Sequence, residues 1–364
     1  MVGARPNFVK VAPVIAEVRR RLSDVSDTVV HTGQHYDTLM SDVFLEELGV
    51  GRPDHMLGVG SASHAIQTAR VMERIEPVLE DERPDLVIVP GDVNSTLAVT
   101  LVAAKMGIRL AHLEAGLRSF DRTMPEEINR IVADEFADLL FVHSDDAVEN
   151  LGREGIEAER IHFVGNTMID SLLAMEPRFR AAGCPGRLGL RPGGYLLVTL
   201  HRPALVDGPL LGEVIDALGE VARELPVVFP AHPRTAKMLD GGRAPAGVMV
   251  VEPLGYVDFL SLEADAAGVL TDSGGVQEET TFLGVPCFTL RANTERPVTV
   301  RAGTNVLLGL DPARIADILP ALARGSGVGG RAVTPLPGWD GRASERIADV
   351  LAREGVAAAT SGAG

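Results

Sequence analysis

The sequence predicts an α/β protein of two domains, each a parallel sheet covered by helices on both faces. Three observations carry this. At 364 residues, 46% of them hydrophobic, the chain is too long for one ordinary core and comfortable for two. Short apolar runs rich in Val, Ile and Leu alternate with helix-patterned stretches, which is the rhythm of a doubly wound sheet. Nearly every polar cluster falls at the carboxyl end of a predicted strand, where open parallel sheets hold their ligands.

The elements follow in order. Residues 27–31 form a short β-branched run that breaks at Gly33. Residues 85–90 are a continuous apolar run, as a strand buried on both faces requires, and end at Gly91-Asp92. A helix-like stretch, 97–106, leads to strands at 109–113 and 139–143, the latter running into Ser144, a good helix N-cap. The second half repeats the logic with strands at 195–200, 226–230, 248–251, 268–271 and 285–289. A polar, Gly-rich stretch near 176–194 separates the halves. The expected domains are 1–165 with a returning C-terminal helix at about 341–355, and 166–340, with a disordered tail at 356–364. The loop Gly3–Asn7 calls for a strand before it, yet only Met1 and Val2 precede it.

Composition excludes several classes. With 34 basic and 50 acidic side chains the net charge is −16, so no basic face for nucleic acid or an anionic membrane is expected. A small anionic ligand needs only locally placed cations. No apolar run reaches the ~20 residues that span a bilayer, and no signal-peptide pattern opens the chain. The expected location is the cytoplasm, with Cys184 and Cys287 as reduced thiols. No HExxH or CxxC occurs, nor a GxGxxG followed by an acidic ribose ligand, so neither a metal nor a nicotinamide cofactor is predicted.

Four stretches carry candidate chemistry. The loop Gly3–Lys10 enters a helix, and such a turn can present backbone N–H groups to an anion, with Arg5 and Lys10 adding charge. An ordinary turn with surface cations reads the same way. Ser273-Gly274-Gly275 is a second such loop, where glycine lets the backbone approach a phosphate, and Glu279 lies on the following helix at a position that can reach a ribose. Simple helix capping by Asp272 and Ser273 is the plainer alternative. Arg296 can fork onto a diphosphate or make a surface ion pair. Asp92, Glu114 and Glu126 lie at or just after strand ends of one sheet, where carboxylates are costly unless paired or used. They can share acid and base steps, or they can join Arg118 and Arg130 in a structural ion-pair network. His201, beside Arg202, ends a strand of the other domain and is expected to face the same cleft.

Taken together, GARPNFVKVAPVI at 3–15, TGQHYD at 32–37, PGDVNSTLA at 90–98, AHLEAGLRSFDRTMPEEINR at 111–130, GNTMIDSL at 165–172, TLHRP at 199–203, LTDSGGVQEE at 270–279 and NTERPVTVRAGTN at 293–305 resemble the non-hydrolysing UDP-N-acetylglucosamine 2-epimerases. The pieces run in family order over nearly the whole chain. The resemblance implies two Rossmann-like doubly wound parallel-sheet domains in a GT-B-like arrangement, with the active site in the interdomain cleft. It implies a UDP-sugar substrate, no cofactor, and a homodimer.

The resemblance also implies the reaction, C2 inversion of UDP-GlcNAc to UDP-ManNAc by anti elimination of UDP to 2-acetamidoglucal and re-addition. It places Asp92, Glu114, Glu126 and His201 at the family's catalytic positions. It assigns Arg5, Lys10, Arg202, Ser273, Gly274, Gly275, Glu279 and Arg296 to UDP, with the backbone near Phe259 meeting uracil. Members activated by their own substrate carry Gln-His-Arg where this chain has Gln34-His35-Tyr36-Asp37, and a basic stretch where this chain has Ser61–His64, so weak or absent activation is expected. The alternatives are an epimerase for a related UDP-acetamido sugar, a hydrolysing epimerase, a GT-B glycosyltransferase, and a non-catalytic nucleotide-sugar sensor. Retention of all four candidate catalytic residues argues against the last.

Overall fold

A computed structural model describes residues 1–3, 5–33, 47–206, 208, 210–231, 235, 244–324 and 336–355. The segment Gln34–Asp37 and the expected tail 356–364 lie outside the described residues, as does the Arg5 side chain. The chain divides into two compact units, unit 1 being Met1–Leu173 with Pro337–Gly364 and unit 2 being Ala174–Leu336.

Unit 1 opens with α1 (Arg5–Arg21), which buries Phe8, Val11, Val14 and Val18 along one stripe. Strands β1 (Val30–His31) and β2 (His55–Met56) form a parallel pair. Helix α2 (His64–Glu82) is capped by Ser63 and buries Val71, Ile75 and Leu79, spaced by four, onto Val87, Val89 and Val99. Then come β3 (Leu86–Pro90), α3 (Asn94–Met106), β4 (Arg109–Leu113), α4 (Pro125–Phe136), β5 (Leu139–Val142), α5 (Asp145–Arg153) and β6 (Ile161–Phe163). Strands β3, β4, β5 and β6 make a four-stranded parallel sheet in sequence order. Helix α6 (Thr167–Ala182) carries the chain out of unit 1.

Unit 2 contains β7 (Leu196–Thr199), α7 (Leu210–Val221), β8 (Val227–Pro230), β9 (Val248–Val251), α8 (Tyr256–Ala264), β10 (Gly268–Thr271), α9 (Gly274–Leu283), β11 (Cys287–Thr289) and β12 (Asn305–Leu307). Its six strands are parallel in the order β12-β11-β10-β7-β8-β9. The first strand, β7, is therefore central, and the order reverses between β7 and β10, which is where such sheets bind ligands. Apolar side chains pack both faces of this sheet, with Val198, Phe229 and Leu270 in one cluster and Tyr195, Leu197 and Val269 in another. That explains why its strands read as unbroken apolar runs. The chain returns to unit 1 through α10 (Ala343–Arg353), which packs on α1. Cys184 and Cys287 are both buried free thiols. Among the described residues no helix is long and apolar enough to cross a membrane.

Candidate active site

In unit 1 the candidate side chains stand at or just after successive strand ends. Asp92 follows β3, Glu114 follows β4, His143 follows β5 and Asn166 follows β6. Glu114 has φ +71, a left-handed backbone that costs about 1–2 kcal/mol outside glycine and that clusters at functional positions. Both its N–H and that of Ala115 donate to the Phe141 carbonyl, at 3.1 Å each, which holds the turn in that conformation. Its carboxylate forms an ion pair with Lys10 of α1, a partner that the sequence did not assign. The two groups close over Gly91, where an added Cβ would lie 3.1 Å from Lys10 Nζ and 3.4 Å from a Glu114 carboxylate oxygen. Lys10, Glu114, His143 and Asn166 together line a small cavity of about 10 Å³.

A buried scaffold fixes this edge. His112 reaches the Gly91 carbonyl at 2.7 Å with Nε2 and Asp134 at 2.6 Å with Nδ1. Asp134 also accepts from the Gly116 N–H and pairs with Arg118 at 2.7 Å. Burial opposes ionisation of Asp134, but His112 and Arg118 hold its carboxyl below the ordinary range. Arg130 pairs with Asp92 on one side and Glu127 on the other. Glu127 is itself buried and takes the Ser119 N–H, the Ser119 hydroxyl and the Phe120 N–H, each at 2.9 Å.

Both arginines of the expected ion-pair alternative are ion-paired. Arg118 pairs with Asp134 and Glu154, and Arg130 with Asp92 and Glu127. Glu126, in the first turn of α4, is half-buried and makes no hydrogen bond or ion pair among the described residues.

Unit 2 places a second set at its topological switch. His201 and Arg202 follow β7, and Asp272, Ser273, Gly274 and Gly275 follow β10. Asp272 is fully buried and accepts from the backbone N–H groups of His201 and Arg202, at 3.0 and 2.8 Å, while His201 Nδ1 lies 2.7 Å away. Burial would raise the Asp272 carboxyl, but the His201 imidazole and these two N–H groups hold it below its usual value. An ionised partner at Nδ1 fixes the ring orientation and leaves Nε2 of the exposed His201 side chain outward. Sequence reading took Asp272 for a possible helix cap, whereas it positions His201.

Ser273 is the N-cap of α9 but makes no side-chain cap bond, which leaves its hydroxyl and the first N–H groups of a ten-residue helix to an anion. Arg296 lies directly on this loop. A Cβ at Gly274 would come within 2.3 Å of Arg296 Nη1, so only glycine admits the guanidinium there. Arg296 is held by Glu278 at 3.1 Å and Glu295 at 3.5 Å. Gln277 ties the region together, donating to the Ser273 carbonyl and accepting from Thr294 and Asn305.

Glu279 is buried and accepts from the Tyr256 hydroxyl at 2.8 Å. Phe259, one turn along the same helix, is half-buried against the cluster that contains Tyr195 and Leu262. Burial pushes the Glu279 carboxyl up to about 7, against the Tyr256 bond. Glu263, also buried, is raised in the same direction by burial and then by Glu279. Native carboxyls that hold protons more tightly than the unfolded chain stabilise fully below the ordinary carboxylate range and lose that contribution as pH rises toward the native value. The urea midpoint is therefore expected to fall between about pH 5 and 7, and Glu279→Gln to flatten that slope. An unchanged slope in the variant would remove Glu279 as its source.

Known proteins are similar to this chain over most of its length. A family model described as UDP-N-acetylglucosamine 2-epimerase matches residues 17–352. A UDP-N-acetylglucosamine 2-epimerase of Methanococcus maripaludis is 40% identical over 337 residues, which is 89% of this chain and 91% of the relative. A UDP-2,3-diacetamido-2,3-dideoxy-D-glucuronate 2-epimerase of Pseudomonas aeruginosa is 42% identical over 361 residues, covering 97% and 98%. The crystal structure of Methanocaldococcus jannaschii UDP-GlcNAc 2-epimerase in complex with UDP-GlcNAc and UDP matches with a TM-score of 0.87 at 39% identity, over 97% of this chain and 98% of that one.

Proposed function

Because this chain belongs to the UDP-N-acetylglucosamine 2-epimerase family, we propose that it interconverts UDP-GlcNAc and UDP-ManNAc without hydrolysis. The C2–H of the sugar is not acidic, since no carbonyl neighbours it. Inversion therefore proceeds by elimination. A carboxylate takes the C2 proton, the C–H pair forms the C1–C2 double bond, and the C1–O pair leaves with UDP. Re-addition of UDP, with a proton delivered to the other face of C2, completes the exchange.

The observation that carries this reading is the pair Asp92 and Glu114, two carboxylates at neighbouring strand ends, each ion-paired with a cation, Arg130 and Lys10 respectively. Proton transfer at C2 is assigned to them together with Glu126. UDP is assigned to Ser273, Gly274, Gly275 and Arg296, with Arg202 and Glu279 from the same unit and Arg5 and Lys10 from α1. Preorganised donors of this kind stabilise a departing diphosphate. The uracil is assigned to the backbone near Phe259. His201 supports the leaving group, and Asp272→Asn is expected to lower turnover ~10–100-fold, a share of what a positioned acid–base group contributes. It should also displace the pH–rate profile while the melting temperature changes little. A normal profile with a fallen melting temperature would make Asp272 purely structural.

A second reading rests on the Pseudomonas aeruginosa relative, at 42% identity an epimerase for a diacetamido uronate. It keeps the chemistry and changes the substituents at C3 and C6. Incubation with each nucleotide sugar in turn, with no acceptor present, separates the readings. UDP-ManNAc from UDP-GlcNAc, with no free ManNAc, is the expected product. Turnover of the diacetamido uronate alone would select the second reading, free ManNAc a hydrolysing enzyme, and an acceptor requirement a glycosyltransferase. The rate is expected to rise hyperbolically with UDP-GlcNAc, without substrate activation. The proposed working form is a cytoplasmic homodimer.

A further inference from the structure

We propose that His143 is a positioning residue for this chemistry: it exchanges a proton with Glu114 and so resets that carboxylate between turnovers. The proposal rests on the reading above, in which Glu114 serves C2, and gives that carboxylate a proton partner.

The need for one follows from the proton balance. Inversion puts the C2 proton on one carboxylate and draws a proton from another on the opposite face. Each turnover therefore leaves one carboxyl protonated that began ionised, and one ionised that began protonated. Neither acts again in the same direction until its proton is reset. Imidazole is the side chain whose ordinary range lets it take and return a proton near neutral pH.

The geometry supplies an imidazole at the right place. Glu114 follows β4 and His143 follows β5, the neighbouring parallel strand. A ring nitrogen of His143 and a carboxylate oxygen of Glu114 lie within 4.8 Å of each other, a span that a hydrogen bond or one bridging water covers. Both side chains line the cavity of about 10 Å³, a volume that suits a single water. Lys10 of α1 is the other charged group on that cavity, and Asn166 and Thr167 are its neutral polar residues.

Asn166 is an independent sign of a site. Its side-chain oxygen accepts from the Met168 N–H at 2.9 Å, while its amide nitrogen is buried with no hydrogen-bond partner among the described residues. A buried donor left so is costly, and a water shared with Glu114 and His143 satisfies it. The imidazole is also held in place. Trp339 meets the ring edge-on, with centroids 6.2 Å apart, and donates its indole N–H to the His143 carbonyl at 3.1 Å. His143 is buried, so the ring serves its neighbour across the cavity rather than bulk solvent.

The step balances. The O–H bond of the Glu114 carboxyl breaks as an N–H bond forms on the His143 ring, directly or through the cavity water, which gives up one proton as it gains another. The products are a carboxylate and an imidazolium, and Glu114 can take another C2 proton. In reverse, the imidazolium recharges a Glu114 that has given its proton to C2.

His143→Phe tests this, since it keeps a ring against Trp339 and removes both nitrogens. Steady-state turnover of UDP-GlcNAc is expected to fall ~10–100-fold and the pH–rate profile to change shape. A first turnover with enzyme in excess, UDP affinity and melting temperature should stay nearly unchanged. Imidazole added to His143→Gly is expected to restore part of the lost rate. Normal turnover with a normal profile in His143→Phe would overturn the proposal. So would a first turnover slowed as much as the steady state, or a loss that follows the melting temperature and resists imidazole. Failure of the underlying reading looks different, because the wild-type protein then leaves the C2 hydrogen in place in D2O. In that case the pair is read without substrate, by the pH dependence of the His143 ring-nitrogen NMR signals, which is expected to change in Glu114→Gln. An unchanged dependence would overturn the exchange itself.

Discussion

Asp92→Asn is expected to lower epimerisation ~10²–10⁴-fold, the usual contribution of a positioned acid–base group, with UDP affinity and melting temperature nearly unchanged. The substitution keeps the shape of the side chain and removes its charge. Arg130 still has Glu127 as a partner, so no buried cation is stranded. Glu127→Gln is the informative contrast. That carboxylate holds the Ser119 and Phe120 amides and the Ser119 hydroxyl inside the protein, and its loss should appear first as lost stability. Measuring turnover, UDP binding and thermal stability for both variants separates chemistry from scaffolding. If Asp92→Asn turned over normally, Asp92 would be a member of the ion-pair scaffold and no more.

Gly165→Ala should give the largest loss of stability from a single methyl group in unit 1. Gly165 has φ +92, and a Cβ there would lie 1.9 Å from the Gly338 carbonyl oxygen and 2.7 Å from its carbon. Both are backbone atoms, held by the Asn166 N–H to Gly338 bond and by Trp339, whose indole N–H donates to the His143 carbonyl. Neither side can yield as a flexible side chain would. Overpacking of this kind costs about 1–3 kcal/mol, and a left-handed backbone without glycine adds about 1–2 kcal/mol. Urea denaturation is expected to show a loss of that order. It should also show lower activity, since Asn166 and His143 line the same small cavity as Glu114. A variant as stable as the parent would mean that the returning chain at Gly338 is free to move away.

The strand at 85–90 was legible because burial in a parallel sheet writes itself as an apolar run, and those at 109–113 and 268–271 by their place in the alternation of strands and helices. Strand β2, at His55–Met56, was not, since two half-exposed residues carry no periodicity. Strand ends were legible for the same reason as the strands, and with them Asp92, Glu114 and His201. What the sequence could not settle was phase and partner. Glu126 and Glu127 are adjacent and chemically alike, and only the helix rotation buries one on Ser119 while leaving the other half-exposed. Arg118 and Arg130 find partners up to 38 residues away, at Glu154 and Asp92, which no local spacing predicts. His143, Asn166 and Gln277 went unassigned because each is an ordinary polar residue until its neighbours are known. The one available signal for His143 was its place at a strand end.

The central claim, elimination and re-addition at C2 by the unit 1 carboxylates, is tested most directly by following C2 of UDP-GlcNAc by NMR in D2O. Deuterium at C2 of both nucleotide sugars, at a rate that falls with turnover in Asp92→Asn, is the predicted result. Epimerisation with the original hydrogen retained at C2, or an unchanged substrate bound tightly through its UDP, would contradict it.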